Sequence, residues 1–315
     1  MSNLRDELES ALGDRYRLKG EIGHGGLGGM AWVFRAVDVK HNREVALKVM
    51  GPESAEREVE LVAQLRHPHI VPLFDSGTVG GGPDDPGSHS YFVMPFIEGE
   101  SLRDRLERDE PIPLAQAIGI ARDVAAALAY AHARGVIHRH LRPENILLTG
   151  GDALVADFGL APPVQAGASV PSASTEPAVG EVAFLSPEQA AGGTVDARTD
   201  LYALGCTLYE MLTGELPYVG KTAQQLLDNR RTTPPPDVRA RRPDVPQSLA
   251  LALRRLLATK PEERYRTADQ VVEELEALPP DPLRGPASRR RLITVVLVLA
   301  ALALGALLIA QLRLR

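Results

Sequence analysis

The sequence predicts an α+β fold of two lobes, a smaller one rich in strands and a larger helical one, followed by one apolar C-terminal helix. Three observations carry this. Short strand-like runs, Tyr16 to Ile22, Val45 to Val49 and Tyr91 to Met94, all fall before residue 95. Beyond residue 100 the apolar spacing becomes helical, most plainly from Pro113 to Ala133, where Gly135 ends the pattern. Residues 292–310 run nineteen positions without a charge, and at about 1.5 Å per residue they span the roughly 30 Å hydrocarbon layer of a bilayer.

Composition narrows the function classes. The 315 residues are 44% apolar and 24% charged, an ordinary globular balance. A net charge of −6 offers no basic face, so no nucleic-acid partner is expected. The single cysteine, Cys206, excludes an intramolecular disulfide and suggests a reducing compartment. The first twenty residues carry charges throughout, so no secretion signal is expected. Arg284 and Arg289-Arg290-Arg291 precede the apolar run, against Arg313 and Arg315 after it. This bias favours a single-pass cytoplasmic-membrane helix whose N-terminal side is cytoplasmic. Ala301 and Gly305 form a small-xxx-small pair that suits a homodimer, and the tail 311–315 is too short to fold as an extracytoplasmic domain.

Taken in order, residues 1–15 hold a short charged helix from Leu4 to Leu12, closed by Gly13. The strand from Tyr16 leads into Gly23-His24-Gly25-Gly26-Leu27-Gly28-Gly29-Met30-Ala31-Trp32-Val33, where absent Cβ atoms let backbone approach a bulky anion. In Val45-Ala46-Leu47-Lys48-Val49 alternation sets Lys48 on the face of Ala46, and a lysine in an apolar strand is costly unless paired. From Glu56 to Leu65, Glu58 shares a helical face with Leu61, Val62 and Leu65, while Glu60 lies on the other side. Gly77 to Ser90 reads as a flexible insert between strands, dense in glycine, proline and aspartate. Then come Pro95-Phe96-Ile97-Glu98-Gly99, the loop His138-Arg139-His140-Leu141-Arg142-Pro143-Glu144-Asn145-Ile146-Leu147-Leu148, and Asp157-Phe158-Gly159. A Pro-, Ala-, Ser- and Thr-rich stretch follows, closing at Ser186-Pro187-Glu188. Helices are expected at Asp200, from Leu249 to Leu257 and from Thr267 to Leu278, before the proline-rich linker 279–291.

These motifs, in this order, resemble those of the protein kinase family, and wordings such as Ser186-Pro-Glu-Gln-Ala190 most resemble bacterial eukaryotic-like serine/threonine kinases. The resemblance implies a kinase domain over 16–278, with an N-lobe 16–94, a hinge 95–99 and a C-lobe 100–278. ATP and Mg²⁺ are the implied cofactors, and a protein substrate or protein partner is implied with them. Lys48 and Glu58 would serve the phosphates, and Asn145 and Asp157 the metal. The glycines allow two registers: Gly23, Gly25 and Gly28, or Gly26, Gly28 and Ala31 followed by Val33, with the second preferred and the extra residues read as a longer tip. Ile22, Val33, Ala46 and Leu147 would sandwich the base, Met94 would stand behind it, and Pro95 and Ile97 would bond its edge. Glu188 would pair with Arg264, Asp200 would brace the catalytic loop, and Arg139 would grip a phosphate in the activation segment. Ser169, Ser172, Ser174 and Thr175 are the candidate phosphosites.

Three positions depart from the family pattern H-R-D-x-K-x-x-N and its surroundings. His140 stands for the catalytic aspartate, Arg142 for the lysine that contacts the transferring phosphate, and Glu181 for a threonine. Beside phosphates a cationic imidazole is favoured, and an imidazolium accepts no proton. Two readings therefore stand together: a serine/threonine kinase with reduced activity, or a pseudokinase acting as a nucleotide-binding, membrane-tethered interaction module.

Overall fold

The small lobe consists of α1 (Ser2–Leu12), β1 (Tyr16–Gly25), β2 (Ala31–Asp38), β3 (Arg43–Met50), α2 (Glu56–Val62), β4 (Asp75–Val79) and β5 (His89–Pro95) in a computed structural model. The structure describes residues 2–25, 31–51, 56–80, 88–108, 112–160 and 179–278. Alternation along β3 sends Val45, Leu47 and Val49 to one face, all fully buried, and Ala46 and Lys48 to the other. Directly across the ladders, Phe34 faces Leu47, Ala36 faces Val45, Val93 faces Leu47 and Tyr91 faces Val49. Leu8 and Leu12 of α1 and Tyr16 of β1 complete this core. The five strands form one antiparallel sheet in the order β1-β2-β3-β5-β4.

One expectation is corrected here. The ends of the supposed insert from Gly77 to Ser90 are strand: Gly77 pairs with Tyr91, Thr78 with Ser90 and Val79 with His89. Gly77 is present because a Cβ there would lie 2.7 Å from the Tyr91 hydroxyl. It admits a close approach rather than breaking a strand.

The larger lobe opens with β6 (Glu100–Ser101) and α3 (Leu102–Leu106), where Ser101 and Asp104 form a capping box. α4 (Leu114–His132) buries Ala117, Ala121, Val124, Ala125, Leu128 and Ala131, and it packs on the later helices and the lobe's small sheet. Among the described residues α4 alone is long and apolar enough to cross a membrane by length and composition, and half of it is buried in the lobe. β7 (Ile146–Thr149) and β8 (Asp152–Val155) are joined through Gly150 and Gly151, whose φ values of 60° and 98° suit a two-residue hairpin turn. This hairpin carries the backbone into residues 156–160. α5 (Val179–Val182) and α6 (Pro187–Ala190) follow, and then α7 (Ala197–Thr213), a helix buried almost all round. Its cap is Asp196, so it starts before Asp200, and Gly214 closes it at φ 74°. α8 (Ala223–Thr232), α9 (Gln247–Leu256) and α10 (Ala268–Glu276) complete the lobe.

Parallel bridging of Ile70 and Val155 ties the segment after α2 to β8: Val71 N–H donates to Val155 O, and Val155 N–H to His69 O, each at 2.9 Å. On the other side, Gly99 lies against the β7 backbone, and a Cβ at Gly99 would collide with the Leu148 carbonyl oxygen. Gly99→Ala therefore costs about 1–3 kcal/mol by overpacking, read as a lower urea midpoint at unchanged m-value. An unmoved midpoint would show that the backbone there has room to spare.

The chain divides into two compact units, Met1–Ala277 and Leu278–Arg315. The apolar run 292–310, with Ala301 and Gly305, lies outside the described residues.

Candidate active site

Cross-strand pairing assembles the inner face of the small-lobe sheet. Val33 faces Lys48, and Lys48 faces Phe92; Arg35 faces Ala46, and Ala46 faces Met94. Ile22 and Gly23 lie on β1, Gly25 pairs with Ala31 across the hairpin, and Gly23 pairs with Val33. Gly23 and Gly25 lie on β1 and Ala31 and Val33 on β2, while Gly26 and Gly28 lie outside the described residues. Pro95 ends β5, Ile97 follows it, and Leu147 is supplied by β7.

Lys48 reaches across the cleft. Its Nζ donates to Asp157 Oδ2 at 2.6 Å, with both side chains largely buried. Burial pushes the Asp157 carboxyl up, and the charge and hydrogen bond of Lys48 more than offset this, leaving it below its ordinary value. The backbone of Glu58 lies in α2, and its side chain is outside the described residues.

The loop beneath is held from below by Asp200. Its carboxylate accepts from His138 N–H and Arg139 N–H, both at 2.8 Å, and from His132 Nε2 at 2.7 Å. Burial raises the Asp200 carboxyl, and His132 leads the contacts that bring it below its ordinary value. These bonds fix Arg139 at φ 64°, left-handed backbone that an arginine rarely adopts; Asp157 has the same handedness at φ 65°. Strain at two such residues across one cleft marks a working site rather than a fold requirement. Gln189 Nε2 also donates to Arg139 O at 2.8 Å, joining α6 to the loop.

His138 is fully buried against the Phe158 ring, with ring centroids 4.7 Å apart. Its Nε2 donates to Ala156 O at 2.9 Å and its Nδ1 accepts His140 N–H at 3.2 Å, which assigns the neutral Nε2–H tautomer. Asn145 donates from Nδ2 to His140 O at 2.9 Å, and its own carbonyl receives Ala156 N–H at 2.9 Å. The two loops are thereby locked together.

Burial and its neighbours hold the His140 imidazole in the neutral form. Burial lowers the imidazole first, and the nearby charges of Arg142 and then Lys48 lower it further, to about 3. Its Nδ1 lies 3.5 Å from Asn145 Nδ2, and its Nε2 is buried with no hydrogen-bond partner among the described residues. Arg142 is engaged as well: Nε and Nη2 each donate to Glu144 at 2.7 Å. Burial raises the Glu144 carboxyl, but Arg142 pulls it down to about 2.

Around this centre, Arg264 donates to both oxygens of Glu188, at 2.7 and 2.8 Å, from a fully buried position. Buried Arg230 of α8 donates to the carbonyls of Val182, Ala183 and Leu185 and so fixes the backbone after Glu181. The Glu181 side chain and residues Ser169, Ser172, Ser174 and Thr175 lie outside the described residues. Neither Arg230 nor Gln189 is visible as a site residue in the sequence, because each acts on backbone carbonyls far along the chain.

The residues fit a hard divalent cation. Asn145 spends its Nδ2 on His140 O, leaving Oδ1 without a partner among the described residues, and Asp157 uses only Oδ2 on Lys48. Two oxygen donors beside an ammonium suit a hard divalent cation. Among the described residues no group of three or more His, Cys, Asp or Glu forms a separate metal site.

A strand-rich lobe over a helical lobe, with a lysine and an aspartate meeting across the cleft, is the scaffold of a two-lobed phosphotransferase. The chain belongs to the protein kinase family: residues 16–275 match the model of the protein kinase domain. It is 38% identical to the serine/threonine-protein kinase PknB of Mycobacterium leprae, over 84% of this chain and 43% of that protein. It is 36% identical to the serine/threonine-protein kinase PknL of Mycobacterium tuberculosis, over 87% and 68%. The chain spans less than half the length of the PknB relatives it matches. Among solved structures it resembles the PknI kinase domain of Mycobacterium tuberculosis, with a TM-score of 0.64 and 28% identity over 83% of this chain and 95% of that one.

Proposed function

We propose that the chain is an ATP- and magnesium-dependent serine/threonine protein kinase, slowed by His140 and tethered to the cytoplasmic membrane by residues 292–310. The observation that carries this reading is the 2.6 Å pair between Lys48 and Asp157 beside the free oxygen of Asn145. Bound ATP with magnesium supplies the phosphoryl group and the metal charge. Lys48 would hold phosphate oxygens, Asn145 and Asp157 would hold the metal, and Arg142 would serve the transferring phosphate. Val33, Ala46, Met94 and Leu147 enclose the base. Positioning and charge stabilisation carry most of phosphoryl-transfer catalysis, so a weak base at position 140 slows the reaction without abolishing it.

His140 also supports a second reading, a nucleotide-binding module without transfer, because no carboxylate stands at that position. Labelled γ-phosphate separates the two. Wild-type protein is expected to label itself or a serine/threonine substrate, and Lys48→Met to label nothing. Labelling by His140→Asp alone would establish the module instead.

A further inference from the structure

Arg142 spends one edge of its guanidinium on Glu144, Nε to one carboxylate oxygen and Nη2 to the other, both at 2.7 Å. That side-on grip fixes the plane of the group and leaves Nη1 with no hydrogen bond among the described residues. Glu144 is itself held: Arg103 Nε donates to it at 3.2 Å, and Arg103 Nη1 donates to Glu210 of α7 at 2.7 Å. The result is an alternating row, Arg142, Glu144, Arg103, Glu210, running from the catalytic loop to a buried helix. Arg142 is largely buried, with its side chain 15% exposed, so its head group has little freedom outside this grip. Arg142 stands two residues after His140 in the same loop, the position to which the kinase reading gives a contact with the transferring phosphate. A lysine, a point charge on a flexible stem, could not be oriented this way.

We propose that Glu144 is a positioning residue, which sets the plane of Arg142 so that its remaining N–H groups meet the terminal phosphate of bound ATP. This rests on the kinase reading of Arg142 given above. It predicts that discrimination between ATP and ADP depends on Glu144 and does so only through Arg142.

The test is a double-mutant cycle on full-length protein in detergent, titrating ATP and ADP with magnesium into wild type, Glu144→Gln, Arg142→Ala and the double variant. Glu144→Gln is expected to lose roughly tenfold in preference for ATP over ADP, the scale of one charge-assisted hydrogen bond, with little change in ADP affinity. The same change in the Arg142→Ala background is expected to have no further effect. Arg142→Lys leaves Glu144 on Arg103 and keeps the charge, so the protein folds and still loses part of the preference. An unchanged ratio in Glu144→Gln, or an equal loss in both backgrounds, overturns the proposal and makes Glu144 a brace for Arg103. Failure of wild type to bind either nucleotide overturns the kinase reading itself, and this inference with it.

Discussion

Replacing His140 by aspartate is expected to accelerate phosphoryl transfer, by roughly 10²- to 10⁴-fold, the usual contribution of a general base. The surroundings favour the substitution. Arg142 and Lys48 both lower the imidazole, and the same two cations would hold a carboxylate ionised. Asn145 already donates to the backbone at this position, so the loop needs no rearrangement to receive the shorter side chain. Initial rates of labelled-phosphate transfer at saturating ATP measure the gain, with thermal stability as the control for folding. A rate no higher than wild type would mean that something other than the missing carboxylate limits the reaction.

Removing Arg264 destabilises the larger lobe by about 3–5 kcal/mol, because it strands a buried carboxylate. Besides its two bonds to Glu188, Arg264 donates to the carbonyls of Ala258, Arg198 and Thr259, and Arg264→Met forfeits all of them. The pH dependence identifies the cause. Burial pushes the Glu188 carboxyl up, and Arg264, with hydrogen bonds from backbone and Thr199, brings its folded value below the ordinary one. In wild type the pair therefore contributes fully above the unfolded carboxyl range, and its contribution is lost as pH falls through the folded value. Without Arg264 burial prevails and the folded value rises. The variant then suffers most at neutral pH and recovers part of its deficit on mild acidification. Urea unfolding of both proteins between pH 5 and 8 checks this, and a deficit that does not vary with pH would assign the loss to packing alone.

The fold was readable wherever local pattern and tertiary role coincide. The alternation of β3 and the glycine after α4, Gly135, each signal one structure and adopt it. Gly77 was misread because its reason is the ring of Tyr91, a contact that no local pattern announces. In the site, Lys48, Asn145 and Asp157 stand out because each sits in a short string with a characteristic spacing. The grip of Glu144 on Arg142 does not, since residues two apart meet only when the backbone between them is turned as it is here. The lowered pKa of His140 was beyond the sequence too, for it is set first by burial and then by nearby charges, Arg142 foremost. Arg230 escaped for a related reason: its partners are backbone carbonyls, which carry no side-chain signature.

Leu8 and Leu12 of α1 share a core with Val45, Leu47 and Val49, although the family match begins only at Tyr16. The evolutionary boundary of the domain and its folding boundary are thus different places. A catalytic fragment trimmed to the match would strip Leu8 and Leu12 out of that core and become prone to aggregation, whatever the state of its active site.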